Sequence, residues 1–176
     1  MEKFNGVSFI PPLVWAELDV ILSTDSCLVG CGGICGTEYF HVSFPAAISD
    51  LQLPIHSLEM LAVLLGVRVW GHRLQGMRLQ IYCDNKPAVC VINSSRTKDA
   101  FLATCIRELW LEVSKYGFEL RALHLPGEEN RVADWLSRWE CDIKYQRMFE
   151  QFTSDDSDQY DEVHISDDLF KFSKDL

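Results

Sequence analysis

The sequence lacks the segments that are typical of a membrane or secreted protein. It has no apolar run of about 20 residues, no N-terminal signal peptide and no lipidation motif. We therefore expect a protein without a membrane partner that stays inside the cell, in the cytoplasm or the nucleus. At 176 residues, of which 48% are hydrophobic, the chain is long enough to form one globular domain with its own core.

A recognisable cysteine-based site is also missing from the sequence. The chain has seven cysteines, an odd number. Six of them fall inside apolar periodic runs: Cys27, Cys31, Cys35, Cys83, Cys90 and Cys105. The first three have neither a C-x-x-C pair nor a nearby histidine to complete a tetrahedral zinc site. We interpret the cysteines as buried free thiols of a reducing compartment.

The chain has no excess of basic residues, and its acidity is concentrated towards the C-terminus. Residues 1–140 contain 12 Lys and Arg against 16 Asp and Glu, net −4, and residues 141–176 contain 4 against 10, net −6, which together give −10. The composition predicts a lead-in at 1–13, a folded domain at 14–140 and a flexible acidic tail at 141–176. An alternative for the tail is a short partner-binding motif, formed by Val163, Ile165, Leu169, Phe170 and Phe172.

Hydrophobic periodicity predicts a mixed α/β fold, in which helices cover the faces of a five-stranded sheet. The predicted strands are 20–24, the glycine-rich stretch around 30–36, 39–44, 79–83 and 118–125. The predicted helices are 57–70, one that starts near residue 87, 101–113 and 130–139. The neighbours of Glu59 one turn on, Ala62, Val63 and Gly66, are small or apolar and would let the first helix approach the sheet closely.

Four acidic residues lie in apolar surroundings, where a lone charge is costly. Asp25 and Asp84 follow apolar strand-like runs, and Glu59 and Asp134 lie beside the apolar stripe of helix-like runs. Buried carboxylates are usually paired or coordinate a cation. If the first and fourth predicted strands are neighbours, Asp25 and Asp84 lie side by side and the two helices bring the other carboxylates to them. The four residues therefore predict a divalent metal site.

The motifs TDSCLVGCGG, SLEML, YCDN and HLPGEENRVADWLSR, in this order, resemble the ribonuclease H domain that follows reverse transcriptase in gypsy-like and DIRS-like retrotransposons. The resemblance covers about residues 14–139. Its most specific part is the last motif, H-x-P-G-x-x-N-x-x-A-D-x-L-S-R, which joins a strand end, a turn and a helix. The resemblance implies a ribonuclease H-like fold.

The resemblance also implies residue roles. Asp25, Glu59, Asp84 and Asp134 match the family's metal-binding carboxylates, and His124 matches a histidine that assists catalysis in cellular and retroviral relatives. Two Mg²⁺ ions, or Mn²⁺, would lie about 3.5–4 Å apart and stabilise in-line attack of water on an RNA phosphodiester. Asp25 would bridge them, with Glu59 and Asp84 on one side and Asp134 on the other.

Simpler roles remain open for each residue. Asp84 could cap the helix that follows it, Asp25 could form a turn, and His124 could be a structural strand residue. Glu59 and Asp134 could be solvated helix charges.

Substrate binding is predicted less strongly than the metal site. The candidate contacts to phosphate or sugar are Ser26, Asn85, Ser94, Arg96, Lys98 and Asn130. Between the helix at Pro87 and the one at Asp99 there is no basic insertion that could grip a hybrid, so we expect weak binding by the chain alone. A reverse transcriptase domain is the expected partner that would supply further grip.

The sequence thus favours an endonuclease that cuts the RNA strand of RNA/DNA hybrids and leaves 5′ phosphates. A non-catalytic ribonuclease H-like relic that acts as a binding or interaction module is the main alternative. A third hypothesis is a related nuclease or integrase-like enzyme that acts on DNA. The HLPGEENRVADWLSR motif argues against it. Fold alone would not choose among them.

Overall fold

A computed structural model of the protein describes residues 17–173. The predicted lead-in at 1–13 and the start of the predicted domain at residue 14 lie outside the described residues. Among residues 17–173, no helix combines the length and the apolar character needed to cross a membrane.

The described residues form six strands, six α-helices and two short 3-10 helices. The strands are β1 (Val20–Ser26), β2 (Gly30–Cys35), β3 (Glu38–Ser43), β4 (Arg78–Cys83), β5 (Glu119–His124) and β6 (Asp161–Glu162). The helices are α1 (Ala46–Ser49), α2 (Ile55–Trp70), α3 (Lys86–Ser94), α4 (Ala100–Tyr116), α5 (Arg131–Ser137) and α6 (Ile143–Asp155). The 3-10 helices are Gly71–Arg73 and Asp167–Phe170.

The strands form one mixed sheet with the order β5-β4-β1-β2-β3-β6. β1, β2 and β3 are an antiparallel meander, whereas β4 and β5 run parallel to β1. The predicted α/β class, with helices around a mixed sheet, is confirmed. The predicted count of five strands is wrong by one, because the two residues of β6 pair in parallel with β3 at the sheet edge.

Helices pack on both faces of the sheet, and glycine, which has no side chain, lies at the contacts of two of them. A Cβ atom on Gly66 of α2 would lie 2.8 Å from Leu22 Cδ2 on β1, which confirms the predicted close approach of this helix. A Cβ atom on Gly32 of β2 would lie 2.4 Å from the Cβ atom of Leu136 on α5. Such distances are far below normal carbon contacts. These glycines therefore fix how near α2 and α5 lie to the central strands.

The segment after residue 140 differs from the predicted flexible tail. It forms α6, β6 and a 3-10 helix, and it packs onto the body. Phe149 of α6 is buried against Tyr39, with 4.5 Å between ring centroids, and Phe170 is buried against Phe44. The apolar residues proposed as a partner motif, Val163, Ile165, Leu169, Phe170 and Phe172, contact this chain's own core. Burial of these side chains offsets the cost of ordering an acidic segment.

A buried ion pair joins this segment to the helices. Arg68 of α2 and Glu108 of α4 lie 3.0 Å apart (Nη2 to Oε2), and both side chains are buried. Arg68 also donates to the carbonyl of Leu169, and the hydroxyl of Ser173 donates to Glu108 over 2.9 Å. The C-terminal segment therefore supplies a hydrogen-bond partner to each member of the ion pair, and these bonds hold the segment against the helices.

The cysteines are free thiols, as predicted, but not all of them are buried. Cys31, Cys83 and Cys105 are buried, whereas Cys90 and Cys141 are exposed. Cys90 lies on the solvent side of α3, so the prediction that it is buried is wrong. The apolar face of that short helix is formed by Ala88, Val91 and Ile92 instead.

The ion pair generates a stability prediction. Glu108→Ala leaves the charge of Arg68 buried without its partner, so we expect the free energy of unfolding to fall by about 3–5 kcal/mol, measured by urea denaturation. Glu112→Ala on the same helix removes the pair with Lys115, which has 59% of its side chain exposed, and should cost less than about 1 kcal/mol. Equal losses in the two variants would contradict this role for Glu108.

Candidate active site

Three of the predicted carboxylates meet at the carboxyl ends of two neighbouring parallel strands. β1 and β4 pair with Ser23 opposite Tyr82, and two residues further the same register sets Asp25 opposite Asp84. Glu59 reaches the same place from α2. Asp25, Glu59 and Asp84 all line one open cleft of about 500 Å³. The sheet topology therefore brings together residues that are up to about 60 positions apart in the sequence.

Glu59 lies deep in the cleft, with 2% of its surface exposed. It accepts a hydrogen bond from the backbone N–H of Ser26, and the thiol of Cys83 lies 3.8 Å from its Oε2 atom. One ligand atom from each of Glu59, Cys83 and Asp84 lies within 4.8 Å of the others. This arrangement excludes the alternative of a solvated helix charge for Glu59.

Asp25 is buried to a similar degree, with 3% of its surface exposed. The hydroxyl of Ser137 on α5 donates a hydrogen bond to its Oδ2 atom. Burial raises the pKa of Asp25 to about 7; the bond from Ser137 opposes this shift, and the charges of Asp84 and Asp134 add to it. The alternative that Asp25 is a turn residue fails, because Asp25 is paired within β1 and faces α5.

The carboxylates of the cleft repel one another. Burial, together with the charges of Asp25 and then Asp84, raises the pKa of Glu59 to about 10. Each neighbouring charge thus makes the next ionisation harder. A cation bound between these groups would lower their pKa values, because it favours the charged carboxylates.

Asp134 lies at the margin of this cluster. It is half-buried on α5, and its Oδ1 atom accepts a hydrogen bond from Nε of Arg138 over 2.7 Å. Arg138, unlike Asp134, lines the cleft. The charge of Asp134 contributes to the raised pKa of Asp25, so the two carboxylates lie within electrostatic reach. The fourth predicted carboxylate is therefore near the other three but is paired with arginine.

His124 ends β5 beside Asp84. Its Nε2 atom lies 3.0 Å from the backbone carbonyl oxygen of Asp84. Because a carbonyl only accepts, Nε2 carries the proton in this contact. The bond holds the imidazole at the edge of the site, next to the chain segment that carries the Asp84 carboxylate.

Asp84 is not the cap of α3. The side chain of Asn85 accepts the hydrogen bond from the backbone N–H of Ala88, and Pro87 lies in the first turn. The carboxylate of Asp84 is left free of a capping role. A Cβ atom on Gly127 would lie 3.3 Å from its Oδ2 atom, so the turn before α5 passes close to this carboxylate.

Two predicted substrate contacts line the cleft, and one is buried in the fold. Ser26 and Asn85 lie on its wall. Asn130 has 3% of its surface exposed and donates from Nδ2 to the carbonyl of Thr24 over 2.9 Å. The prediction that Asn130 contacts the substrate therefore differs from the structure, because its side chain forms a hydrogen bond that joins the turn before α5 to β1. Asn130 in the HLPGEENRVADWLSR motif thus has a structural role.

The remaining predicted contacts lie elsewhere. Ser94, Arg96 and Lys98 are exposed at or after the C-terminal end of α3, and none of them lines the cleft. A helix of nine residues is about 13 Å long. These side chains are therefore separated from Asp84 by the length of α3.

Three residues that contact the carboxylates were not predicted from the sequence. Cys83, Ser137 and Arg138 contact the carboxylates directly. The last two belong to the L-S-R end of the HLPGEENRVADWLSR motif, which signalled their presence but not their contacts. An exposed apolar rim completes the cleft: Leu28, Val29 and Ile55.

The donor set fits a hard divalent cation. Three carboxylates and a buried hydroxyl surround the cleft, and oxygen donors suit Mg²⁺ or Mn²⁺. The hydroxyl of Ser26 is buried and has no hydrogen-bond partner among the described residues. Such a group is costly unless something outside the protein satisfies it. A cation with its bound waters would satisfy this hydroxyl and relieve the repulsion among the carboxylates.

The raised pKa values generate a prediction for the metal-free protein. Asp25 titrates near 3.8 when unfolded and near 7 when folded, so the folded state binds the proton more tightly. The free energy of unfolding should therefore fall as the pH rises from about 4 to about 7. Urea denaturation in EDTA should show this fall, and Asp25→Asn should make it smaller. Mg²⁺ should stabilise the wild type more at pH 8 than at pH 5, and an unchanged slope in Asp25→Asn would contradict the assignment.

Comparisons with known proteins give a similar sequence and a similar solved structure. The chain is 23% identical over 180 residues to the retrovirus-related Pol polyprotein from transposon 297 of Drosophila melanogaster, a match that covers 98% of the chain and 16% of the polyprotein. The chain thus spans a small part of that relative. No family model matches this chain. A solved structure, LC11-RNase H1 in complex with an RNA/DNA hybrid, superposes with a TM-score of 0.49 and 15% identity, over 67% of this chain and 93% of that one.

The gypsy-like or DIRS-like subtype stays a prediction. The predicted relationship to a retroelement Pol polyprotein is confirmed by the sequence similarity. In fold, the chain has an antiparallel β1–β3 meander followed by β4 and β5 parallel to β1. The chain is therefore similar in sequence to a part of a retroelement Pol polyprotein, and it has a mixed α/β fold.

Proposed function

We propose that this protein is a metal-dependent endonuclease that hydrolyses the RNA strand of RNA/DNA hybrids. The observation that carries the proposal is the meeting of Asp25, Glu59 and Asp84 in one cleft, where their mutual repulsion favours a cation. The similarity to a retroelement Pol polyprotein supports a role in nucleic-acid processing.

The carboxylates would act by holding divalent cations. When bound, two such cations supply an activated water, and they neutralise the charge that develops on the phosphate and the leaving oxygen. Asp25, Glu59 and Asp84 are the residues that would hold them. Asp134 would complete the set from α5, where Ser137 already fixes the position of Asp25 by a hydrogen bond.

Arg138 would contact the scissile phosphate. Its guanidinium lines the cleft beside the carboxylates, and 42% of its side chain is exposed. Guanidinium groups form strong, charge-assisted hydrogen bonds with phosphate oxygens. The pair with Asp134 would keep this group oriented towards the cleft before the substrate binds.

His124 would move protons during the reaction. Its ring is held by the carbonyl of Asp84, and an imidazole can both accept and donate a proton through its ring nitrogens. From this edge of the site it would protonate the leaving oxygen or assist release of the product.

Binding of the hybrid would be weak in the isolated chain. Arg96 and Lys98 lie beyond the end of α3, where they would contact phosphates outside the cleft, and the net charge of −10 opposes nucleic-acid association. A covalently linked or separate reverse transcriptase domain would supply further contacts. We expect cleavage to be strongest at low salt.

The first test of the proposal is cleavage of a hybrid labelled on the RNA strand, in Mg²⁺ and in Mn²⁺. The wild type should cut the RNA strand and leave double-stranded DNA intact. Asp84→Asn removes a charged oxygen ligand, so we expect the rate to fall at least about 1,000-fold, which corresponds to several kcal/mol of barrier.

Asp50→Asn is the matched control, because Asp50 is an exposed aspartate after α1 that does not line the cleft. It should retain the wild-type rate. Absence of cleavage by the wild type at low salt, with either metal and at high protein concentration, would favour the alternative of a non-catalytic binding module. Cleavage that persists in Asp84→Asn would contradict the site.

His124 gives a separate prediction. His124→Ala should lower the cleavage rate by about 100-fold or more, the usual contribution of general acid–base catalysis, while stabilisation by Mg²⁺ is retained in a thermal melt. His124→Gln can still donate to the carbonyl of Asp84 but cannot exchange a proton near neutral pH. A wild-type rate in the glutamine variant would show that the histidine has only a structural role.

A further inference from the structure

Two thiols that are distant in the sequence meet at the rim of the cleft. The Sγ atoms of Cys27 and Cys141 lie 3.9 Å apart, although the residues are 114 positions apart. Both residues line the cleft, and neither side chain is one of the carboxylate ligands discussed above. The pair was not expected from the sequence, in which only Cys27, Cys31 and Cys35 are close together.

Both thiols lie in turns rather than in regular strands or helices. Cys27 follows β1, and its backbone N–H donates to the carbonyl of Gly30. Cys141 lies in the turn between α5 and α6, where its N–H donates to the carbonyl of Arg138. A disulfide requires the sulfur atoms to approach to about 2.05 Å. Side chains in turns can make this movement by rotation without disturbing the sheet.

Exposure decides which thiol reacts first. Cys141 is exposed, whereas Cys27 is half-buried and its thiol donates to the carbonyl of Ser137 over 3.1 Å. An oxidant in solution therefore meets Cys141 before Cys27. The partially protected Cys27 is then placed to attack the activated sulfur, because the two atoms are already in contact.

We propose that Cys27 and Cys141 form a reversible disulfide that fastens the C-terminal segment to the end of β1. A low-molecular-weight disulfide is the oxidant. The thiolate of Cys141 attacks one of its sulfur atoms and releases one thiol, and the thiolate of Cys27 then attacks the Cys141 sulfur and releases the second. Two protein thiols are oxidised to one disulfide, the reagent is reduced to two thiols, and the two protons pass to them.

The position of the bond gives it a structural consequence. Cys27 lies two residues after Asp25, and Cys141 lies four residues after Ser137, which donates to Asp25. The disulfide therefore joins the two chain segments on either side of that hydrogen bond. It also closes a loop that spans most of the domain, and such a bond restricts the unfolded chain. We expect the oxidised protein to resist unfolding more than the reduced protein.

The test is incubation of the purified full chain with oxidised glutathione, followed by alkylation and peptide mapping without reduction. The peptides that contain Cys27 and Cys141 should be recovered as one cross-linked species that dithiothreitol separates, whereas the exposed Cys90 should carry at most glutathione. The thermal midpoint of the oxidised protein should rise by roughly 5 °C or more. This readout requires no nuclease activity, so failure of the disulfide and failure of the proposed function are distinguishable.

Matched variants isolate the pair. Cys141→Ser should abolish both the cross-link and the rise in thermal midpoint, and Cys27→Ser should leave Cys141 as a mixed disulfide with glutathione. Cys90→Ser removes an exposed thiol on α3 and should behave as the wild type. Recovery of Cys27 and Cys141 as separate peptides in the oxidised wild type would overturn the proposal, as would an equal rise in thermal midpoint in Cys141→Ser.

Discussion

The mutual repulsion of Asp25, Glu59 and Asp84 at the carboxyl ends of β1 and β4 is the constraint on which the rest of the structure depends. Asp25 and Asp84 face each other because the two strands are parallel neighbours, and Glu59 approaches from α2. Charges in this position are costly unless a cation or a set of hydrogen bonds compensates them. Ser137 supplies one such bond, and the cleft leaves room for a cation.

This arrangement requires helices to lie unusually close to the sheet. Gly66 lets α2 rest on Leu22, and Gly32 lets α5 rest with Leu136 directly over β2. A larger residue at either position would move a helix outward, and with it Glu59 or Ser137. Close packing and chemistry are thus linked, since the same contacts that fill the core set the distances among the site residues.

The C-terminal segment adds a further layer to the site. Its acidic side chains face solvent, while aromatic and aliphatic residues such as Phe149 and Phe170 are buried against the body. The turn that begins this segment brings Cys141 to the cleft beside Cys27 and Arg138. The same segment that completes the fold therefore also contributes Cys141 to the lining of the candidate active site.

The sequence by itself determined the α/β class and the main elements, and it predicted Asp25, Glu59 and Asp84 as candidate site residues, because periodicity and apolar surroundings are local properties. It also left open that Asp84 caps α3, and only the structure decided that Asn85 does so. The tertiary structure alone decided the burial of Asn130, the ion pair of Asp134 and the packing of residues after 140. Each of these depends on contacts between distant segments, whose energies no local pattern encodes.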